Sequence, residues 1–151
     1  MDKEVAILLL VCALILGGLF FVGYKRTKNL KDSGKIIDRR HNFMEYAEYF
    51  TLRDLTPQEY LAALKQWGLT ECGRGNTGEL KLRGSDFEAE LLWLDSPEKV
   101  SKFCFRFLSW KTRDGMSTSL LEQNMLLTKT EKMFLSLDPA VQVSYQKLDT
   151  N

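Results

Sequence analysis

Nineteen consecutive residues near the start of the chain, from Val5 to Gly23, carry no charge and are mostly Leu, Ile, Val and Phe. As an α-helix this run would be about 28 Å long, close to the thickness of the hydrocarbon core of a bilayer. The helices of soluble cores keep a polar stripe, and no face of this run has one. The run therefore predicts a transmembrane helix within residues 1–24, with Tyr24 at the membrane interface.

The same segment differs from a cleaved signal peptide. Its apolar run is longer than the roughly 7–15 residues of a signal peptide's hydrophobic region, and no small-x-small motif precedes the polar segment. Leu-Leu-Val precedes Cys12, which lacks the small residue expected before a lipidated Cys. We therefore expect a retained, single-pass anchor in the cell membrane.

Basic residues cluster directly after the apolar run. Between positions 25 and 40, seven basic and two acidic residues give a net charge of +5. Because positively charged flanks stay in the cytoplasm, this charge predicts a cytoplasmic C-terminal domain. The residues predicted to contact anionic lipid at the membrane surface are Lys25, Arg26, Lys28, Lys31, Lys35, Arg39 and Arg40.

Residues 25–50 are predicted to form a basic juxtamembrane linker, residues 25–34, followed by an amphipathic helix over residues 35–50. Ile36, Phe43 and Phe50 repeat every seven residues, which would place them on one helical face. Three positions are open for this helix: on the inner leaflet, on its own domain, or against another copy.

The remaining residues, 51–151, predict a small α+β domain. Thr56 to Glu59 has the pattern of a capping box with Pro at the first helical position, and Gly68 suits the end of that helix. From residue 79 the apolar period changes from 3.6 to 2, which indicates strands. Gly84-Ser85 predicts a two-residue hairpin turn, in which the numbers of facing residues sum to 169.

Three Phe at positions 103, 105 and 107 alternate with polar residues and predict the buried face of a third strand. Arg113-Asp114-Gly115 predicts a turn, and Ser119 with Glu122 predicts a second capping box that opens one helix or two. Asp138-Pro139 would end this helical region before a short edge strand. The predicted fold is α+β: a single transmembrane helix, then an antiparallel sheet of three to four strands packed against helices.

Residue types used in catalysis are present, but their spacing favours structural roles. Gly73 to Gly78 matches GxGxxG, yet a helix precedes it and a strand follows, the reverse of a dinucleotide-binding unit. His41 is the only histidine, and Cys72 and Cys104 form no CxxC motif. We therefore expect no enzyme activity and no catalytic, metal-binding or cofactor-binding residue. Whether Cys72 and Cys104 form a disulfide stays open.

The charge of residues 51–151 argues against a nucleic-acid partner. Their order of helix, three strands and helix is similar to that of double-stranded-RNA-binding domains, but the similarity is one of element order alone. The segment has 13 basic and 14 acidic residues, a net charge of −1, whereas a nucleic-acid footprint is basic.

Two strand ends are apolar without alternation, at residues 91–94 and 108–110, which predicts that both of their faces are covered. The residues predicted to form an interaction surface are Trp93, Trp110, Phe43 and Phe50. The sequence thus favours a membrane-anchored, non-enzymatic interaction or accessory module, with the lipid bilayer and an unidentified protein as partners. The patterns specify neither the biological process nor the oligomeric state.

Two alternatives stay open. One is an accessory subunit of an envelope secretion or conjugation machine, in which a single span carries a small cone-shaped α+β domain, usually outside the cytoplasm. The other is a small-ligand or lipid-binding domain with a pocket beside Phe103, Phe105 and Phe107.

The charge asymmetry makes a prediction about topology. A reporter fused after Asn151 should be active only in the cytoplasm, and an impermeant thiol reagent should label Cys72 and Cys104 only after the cells are permeabilised and the chain denatured. An externally active reporter would contradict the orientation and favour the envelope-machine alternative.

Overall fold

The computed structural model describes residues 3–69 and 78–149. It divides into two compact units, Met1–Ile37 and Asp38–Asn151. The elements are, in order, α1 (Lys3–Asp32), a 3-10 helix (Phe43–Glu45), β1 (Tyr46–Arg53), α2 (Pro57–Gln66), β2 (Glu79–Arg83), β3 (Phe87–Leu94), β4 (Val100–Trp110), β5 (Thr112–Arg113), β6 (Met116–Ser117), α3 (Leu120–Leu137) and β7 (Gln142–Lys147). The α+β class is thereby confirmed.

Helix α1 is long and apolar enough to cross a membrane, and no other helix of the described residues has that property. It continues past the apolar run to Asp32, so most of the predicted juxtamembrane linker is helical. Gly34 ends the helix with a φ of +66°, and the N–H of Lys35 donates to the carbonyl of Leu30 at 2.9 Å. This is the Schellman arrangement that a glycine permits.

The predicted amphipathic helix over residues 35–50 is wrong, because the chain is extended from Tyr46 onward as strand β1. The main sheet is antiparallel with the order β2-β3-β4-β1-β7. Phe50 lies opposite Phe103 of β4 on one side of β1 and opposite Val143 of β7 on the other. The seven-residue spacing of the apolar residues favoured a helix locally. Hydrogen bonding with two strands that are distant in sequence overrides this preference.

Helices α2 and α3 both pack on one face of this sheet. The three Phe of β4 are 0%, 1% and 3% exposed, which confirms their prediction as the buried face. Phe134 of α3 stacks on Phe50, with ring centroids 4.5 Å apart, and makes a tilted contact with Phe103, with ring centroids 4.7 Å apart. Tyr60 of α2 also packs on Phe103, with ring centroids 4.8 Å apart.

Four local sequence signals predicted where helices begin or end, and three of them are confirmed. The N–H of Glu59 donates to Thr56 Oγ1 at 3.2 Å, Thr56 N–H donates back to the Glu59 carboxylate at 2.8 Å, and Gly68 ends α2 with a φ of +64°. Helix α3 ends at Leu137, directly before Asp138. The capping box at Ser119 is wrong, because the Glu122 carboxylate accepts from the N–H of Ser85 instead. Helix α3 is a single helix.

The β2–β3 hairpin has facing numbers that sum to 171, so the predicted register is wrong by two residues. The loop is Ser85-Asp86, and the N–H of Gly84 donates to the Phe87 carbonyl at 3.0 Å. Gly84 provides room: a Cβ there would lie 2.0 Å from the Phe87 ring. A shift of two preserves the faces, so opposite charges still pair, as between Arg83 and Glu88 at 3.2 Å.

A β-bulge accounts for the apolar end of β4. Glu88 faces Ser109 while Ala89 faces Phe107, which leaves Leu108 as the inserted residue. Beyond the bulge Trp110 lies opposite Phe87 and packs against the core. The apolar alternation is therefore lost because the bulge at Leu108 reverses which face of the sheet the following residues of β4 occupy.

The close approach at Gly84 makes a prediction. Gly84→Ala should lower the free energy of unfolding by about 1–3 kcal/mol, because the buried Phe87 ring must move from its contact with Phe107. Urea unfolding of the detergent-solubilised chain, followed by Trp fluorescence, measures this. Ser85→Ala, in the adjacent exposed position, is the matched control, and equal effects of the two variants would refute the packing role of Gly84.

Candidate functional site: a buried carboxyl cluster beside an exposed strand

Two residues of the predicted interaction surface lie in the core. Phe43 is 8% exposed and Phe50 is 1% exposed, so neither offers its ring to a partner, and their assignment to an interaction surface is wrong. Trp93 and Trp110 are partly buried against the same core. Trp93 packs at 5.2 Å from Tyr60. The strand ends are therefore covered largely by the domain's own rings.

The predicted membrane-surface residues divide into two groups. Lys25, Arg26, Lys28 and Lys31 lie exposed on the last turns of α1, and Lys35 is exposed after it. Arg40 is also exposed, with its guanidinium 4.8 Å from the centre of the Tyr46 ring. Arg39 is different: its side chain is only 8% exposed and forms an ion pair with Glu131 of α3. Its assignment to the membrane surface is wrong.

Arg39 lies at the centre of a largely buried polar group, here called the Arg39 cluster, formed by Arg39, Glu48, Asn124, Thr128 and Glu131. The guanidinium donates to Asn124 Oδ1 at 3.0 Å, to Thr128 Oγ1 at 3.0 Å and to both oxygens of Glu131, one of them at 2.9 Å. A two-pronged contact of this kind orients both side chains and is stronger than a neutral hydrogen bond. It ties the segment before β1 to α3.

Glu48 reaches the cluster from β1, on the same face as Phe50, and is 2% exposed. The pKa of Glu48 is raised to about 9, mainly by burial and further by repulsion from the neighbouring Glu131 carboxyl and a hydrogen bond with it. The positive charge of Arg39 lowers this pKa, but by less. Glu48 is therefore neutral at pH 7. One arginine offsets one carboxylate, and the second carboxyl keeps its proton because two ionised groups would repel in a dry site.

Tyr145 of β7 lies directly opposite Glu48 in the ladder. Partial burial raises the pKa of Tyr145, and the nearby Glu48 and Glu131 carboxyls add to the rise. Tyr145 as a whole residue is still 58% exposed. Strand β7 therefore borders the Arg39 cluster on one side and solvent on the other.

Of the two edges of the five-stranded sheet, the free side of β7 is the more exposed. All six residues from Gln142 to Lys147 are exposed, and this stretch contains no acidic residue and no Pro. The opposite edge, β2, carries three charged side chains, with Lys81 Nζ 2.9 Å from the Glu79 carboxylate. Charged side chains protect an edge against added strands, and β7 has little such protection.

The other chemistry-bearing residues have structural partners or no ligand set. Asp86 pairs with Lys111 at 3.0 Å, and Glu90 pairs with Arg106. Cys104 carries a free, buried thiol, and burial raises its pKa. Cys72 and most of the GxGxxG segment lie outside the described residues. Within residues 3–69 and 78–149, no three His, Cys, Asp or Glu side chains are placed to hold a metal ion.

The sequence did not reveal the Arg39 cluster, because Arg39 lies 85 to 92 positions along the chain from the α3 residues to which it donates. One signal was present. Glu48 falls on the inward face of an alternating stretch with Phe50 and Leu52, where an unpaired carboxyl is costly. A charged residue in a buried position indicates a partner elsewhere in the fold.

Comparison with known proteins adds no assignment. No protein-family model, no curated protein and no solved structure matches the chain. A function must therefore be argued from the surfaces of this chain itself, since a fold class alone does not determine activity.

The raised pKa of Glu48 predicts a pH-dependent stability. The folded state holds a proton that the unfolded state loses above pH 4.5, so the free energy of unfolding should fall with rising pH up to about 9, with the slope of one bound proton. Glu48→Gln should flatten this slope, as measured by urea unfolding across that window. Glu88→Gln, on the outer face beside Arg83, is the control and should leave the slope unchanged.

Proposed function

We propose that this chain is a membrane-anchored interaction module without enzyme activity, whose domain binds a protein by adding a strand to the free edge of β7. Strand addition uses backbone hydrogen bonds for affinity and alternate side-chain positions for specificity. The observation that carries the proposal is that all six residues of β7 are exposed, in contrast to the charged and partly buried edge strand β2.

The anchor supports a location in the cell membrane. Helix α1 has the length and composition of a single span, and its C-terminal turns carry basic residues that attract anionic lipid by about 1 kcal/mol each. The excess of positive charge on this side favours a cytoplasmic domain. The domain would then search for its partner only along the membrane surface.

The alternative of a small-ligand domain has less support. Its pocket would lie beside Phe103, Phe105 and Phe107 of β4. The space beside Phe103 is occupied by Phe134 and Tyr60, whose ring centroids lie 4.7 Å and 4.8 Å from that of Phe103. The alternative of an envelope-machine subunit would use the same strand edge but requires the opposite orientation of the anchor. The topology measurement separates it from the favoured proposal.

The proposal is tested by replacing Tyr145 with a photoreactive p-benzoylphenylalanine in the full chain in cells. Irradiation should give one discrete protein adduct, because the Tyr145 side chain is exposed on the proposed binding strand. Val143→Pro should abolish the adduct, because it removes an N–H that points away from β1.

Met116, which is 62% exposed on the β5–β6 hairpin, provides the matched control. The same photoreactive residue at position 116 should give no such adduct. Equal adducts at both positions, or an adduct that survives Val143→Pro in a folded chain, would refute binding at the β7 edge.

A further inference from the structure

We infer that the strand added to β7 is β7 of a second copy of this chain, so that two sheets join through a twofold axis at Ser144. This inference rests on the proposed function, because it names the partner for the same edge. A twofold contact uses one surface twice, so it needs only that the edge be complementary to itself. Three properties of β7 meet that condition.

The first property is the direction of the backbone groups. The N–H of Leu148 donates to the Glu45 carbonyl at 2.8 Å, so residue 148 points its hydrogen-bonding groups toward the β1 side. These groups alternate along an antiparallel strand. Val143, Tyr145 and Lys147 therefore direct their N–H and C=O groups away from β1. If the numbers of facing residues sum to 288, Val143 of each copy faces Tyr145 of the other, and the two pairs form four hydrogen bonds.

The second property is the match of side chains in this register. Val143 and Tyr145 lie on the helix-bearing face and are 41% and 58% exposed. Pairing across the axis would cover both, and contacts between an aromatic and a β-branched residue stabilise a sheet by about 0.2–1 kcal/mol per pair. Ser144 faces its own copy on the outer face. Two small hydroxyls at the axis leave room for close approach.

The third property is charge. The strand has one charged residue, Lys147, at its end. In the proposed register the two copies of Lys147 lie six residue steps apart, about 20 Å, which exceeds the screening length of roughly 8–10 Å. Joining β7 to β2 of another copy would instead meet three charged side chains and leave an open, fibre-forming edge.

The membrane makes this small contact effective. An added strand of six residues buries less than the roughly 800 Å² per partner of a stable soluble interface, so the contact alone is weak. Two chains held in one bilayer by α1 meet at a raised local concentration, which offsets the cost of association. Pairing is therefore expected for the chain anchored in a membrane by α1.

The test uses the purified full chain in vesicles of phosphatidylethanolamine and phosphatidylglycerol, so that no other protein is present. Ser144→Cys should give a disulfide-linked dimer on mild oxidation, because a directly facing pair brings the two Cα atoms within disulfide range, about 4.4–6.8 Å. The parent chain, with its native cysteines, measures the background. Disulfide formation by the variant well above this background supports the inference.

Two further changes in the Ser144→Cys chain locate the contact. Val143→Lys places a charge in the paired strand and should abolish the crosslink, yet the position is already exposed and the fold should survive. Met116→Lys is the matched control and should leave the crosslink unchanged. A crosslink that persists in Val143→Lys overturns the inference.

The two proposals fail differently. Ser144→Cys vesicles without dimer above background, together with a photoadduct of Tyr145 to another protein in cells, would overturn the second copy as partner and leave strand addition intact. The absence of both products would overturn both proposals.

Discussion

The rest of the domain depends on the contact of Phe134 with Phe50 and Phe103. These two ring contacts join α3 to the inner strands β1 and β4, which pair with each other at these same residues. Once α3 is fixed in this way, Glu131 faces the segment before β1, and Arg39 can reach it. The aromatic core therefore fixes α3 on the sheet and, with it, the position of the Glu131 carboxyl.

The Arg39 cluster has an uneven charge, with two carboxyls for one guanidinium. Removing two ions from water is expensive, and a third would be costlier still, so the fold keeps Glu48 protonated. Folding at neutral pH thus takes up a proton. The neutral carboxyl of Glu48 stays buried, while the partly exposed Glu131 carboxylate forms the ion pair with Arg39.

Turns and helix ends, which depend on a few consecutive residues, could be predicted from the sequence. Strand pairing and the hairpin register, which depend on contacts between residues of different elements, could not. The Thr56 capping box and the Asp114-Gly115 turn depend on a few consecutive residues. Strand β1 was missed because its pairing partners lie about 50 and 100 residues away, and a buried Glu48 disguised its alternation. The hairpin register was wrong because Gly84 was assigned to the turn, whereas it accommodates the ring of Phe87.

The position of Arg39 also has a mechanical meaning. The domain begins at Asp38, and the next residue, Arg39, is bonded to Glu131 of α3. Arg39 lies seven positions before the start of β1. Tension transmitted along the chain from α1 would therefore reach the Arg39–Glu131 pair before the hydrogen bonds of the sheet. Because Arg39 contacts the same Glu131 carboxyl that neighbours Glu48, a pull that separates this pair would also change the surroundings of the Glu48 carboxyl.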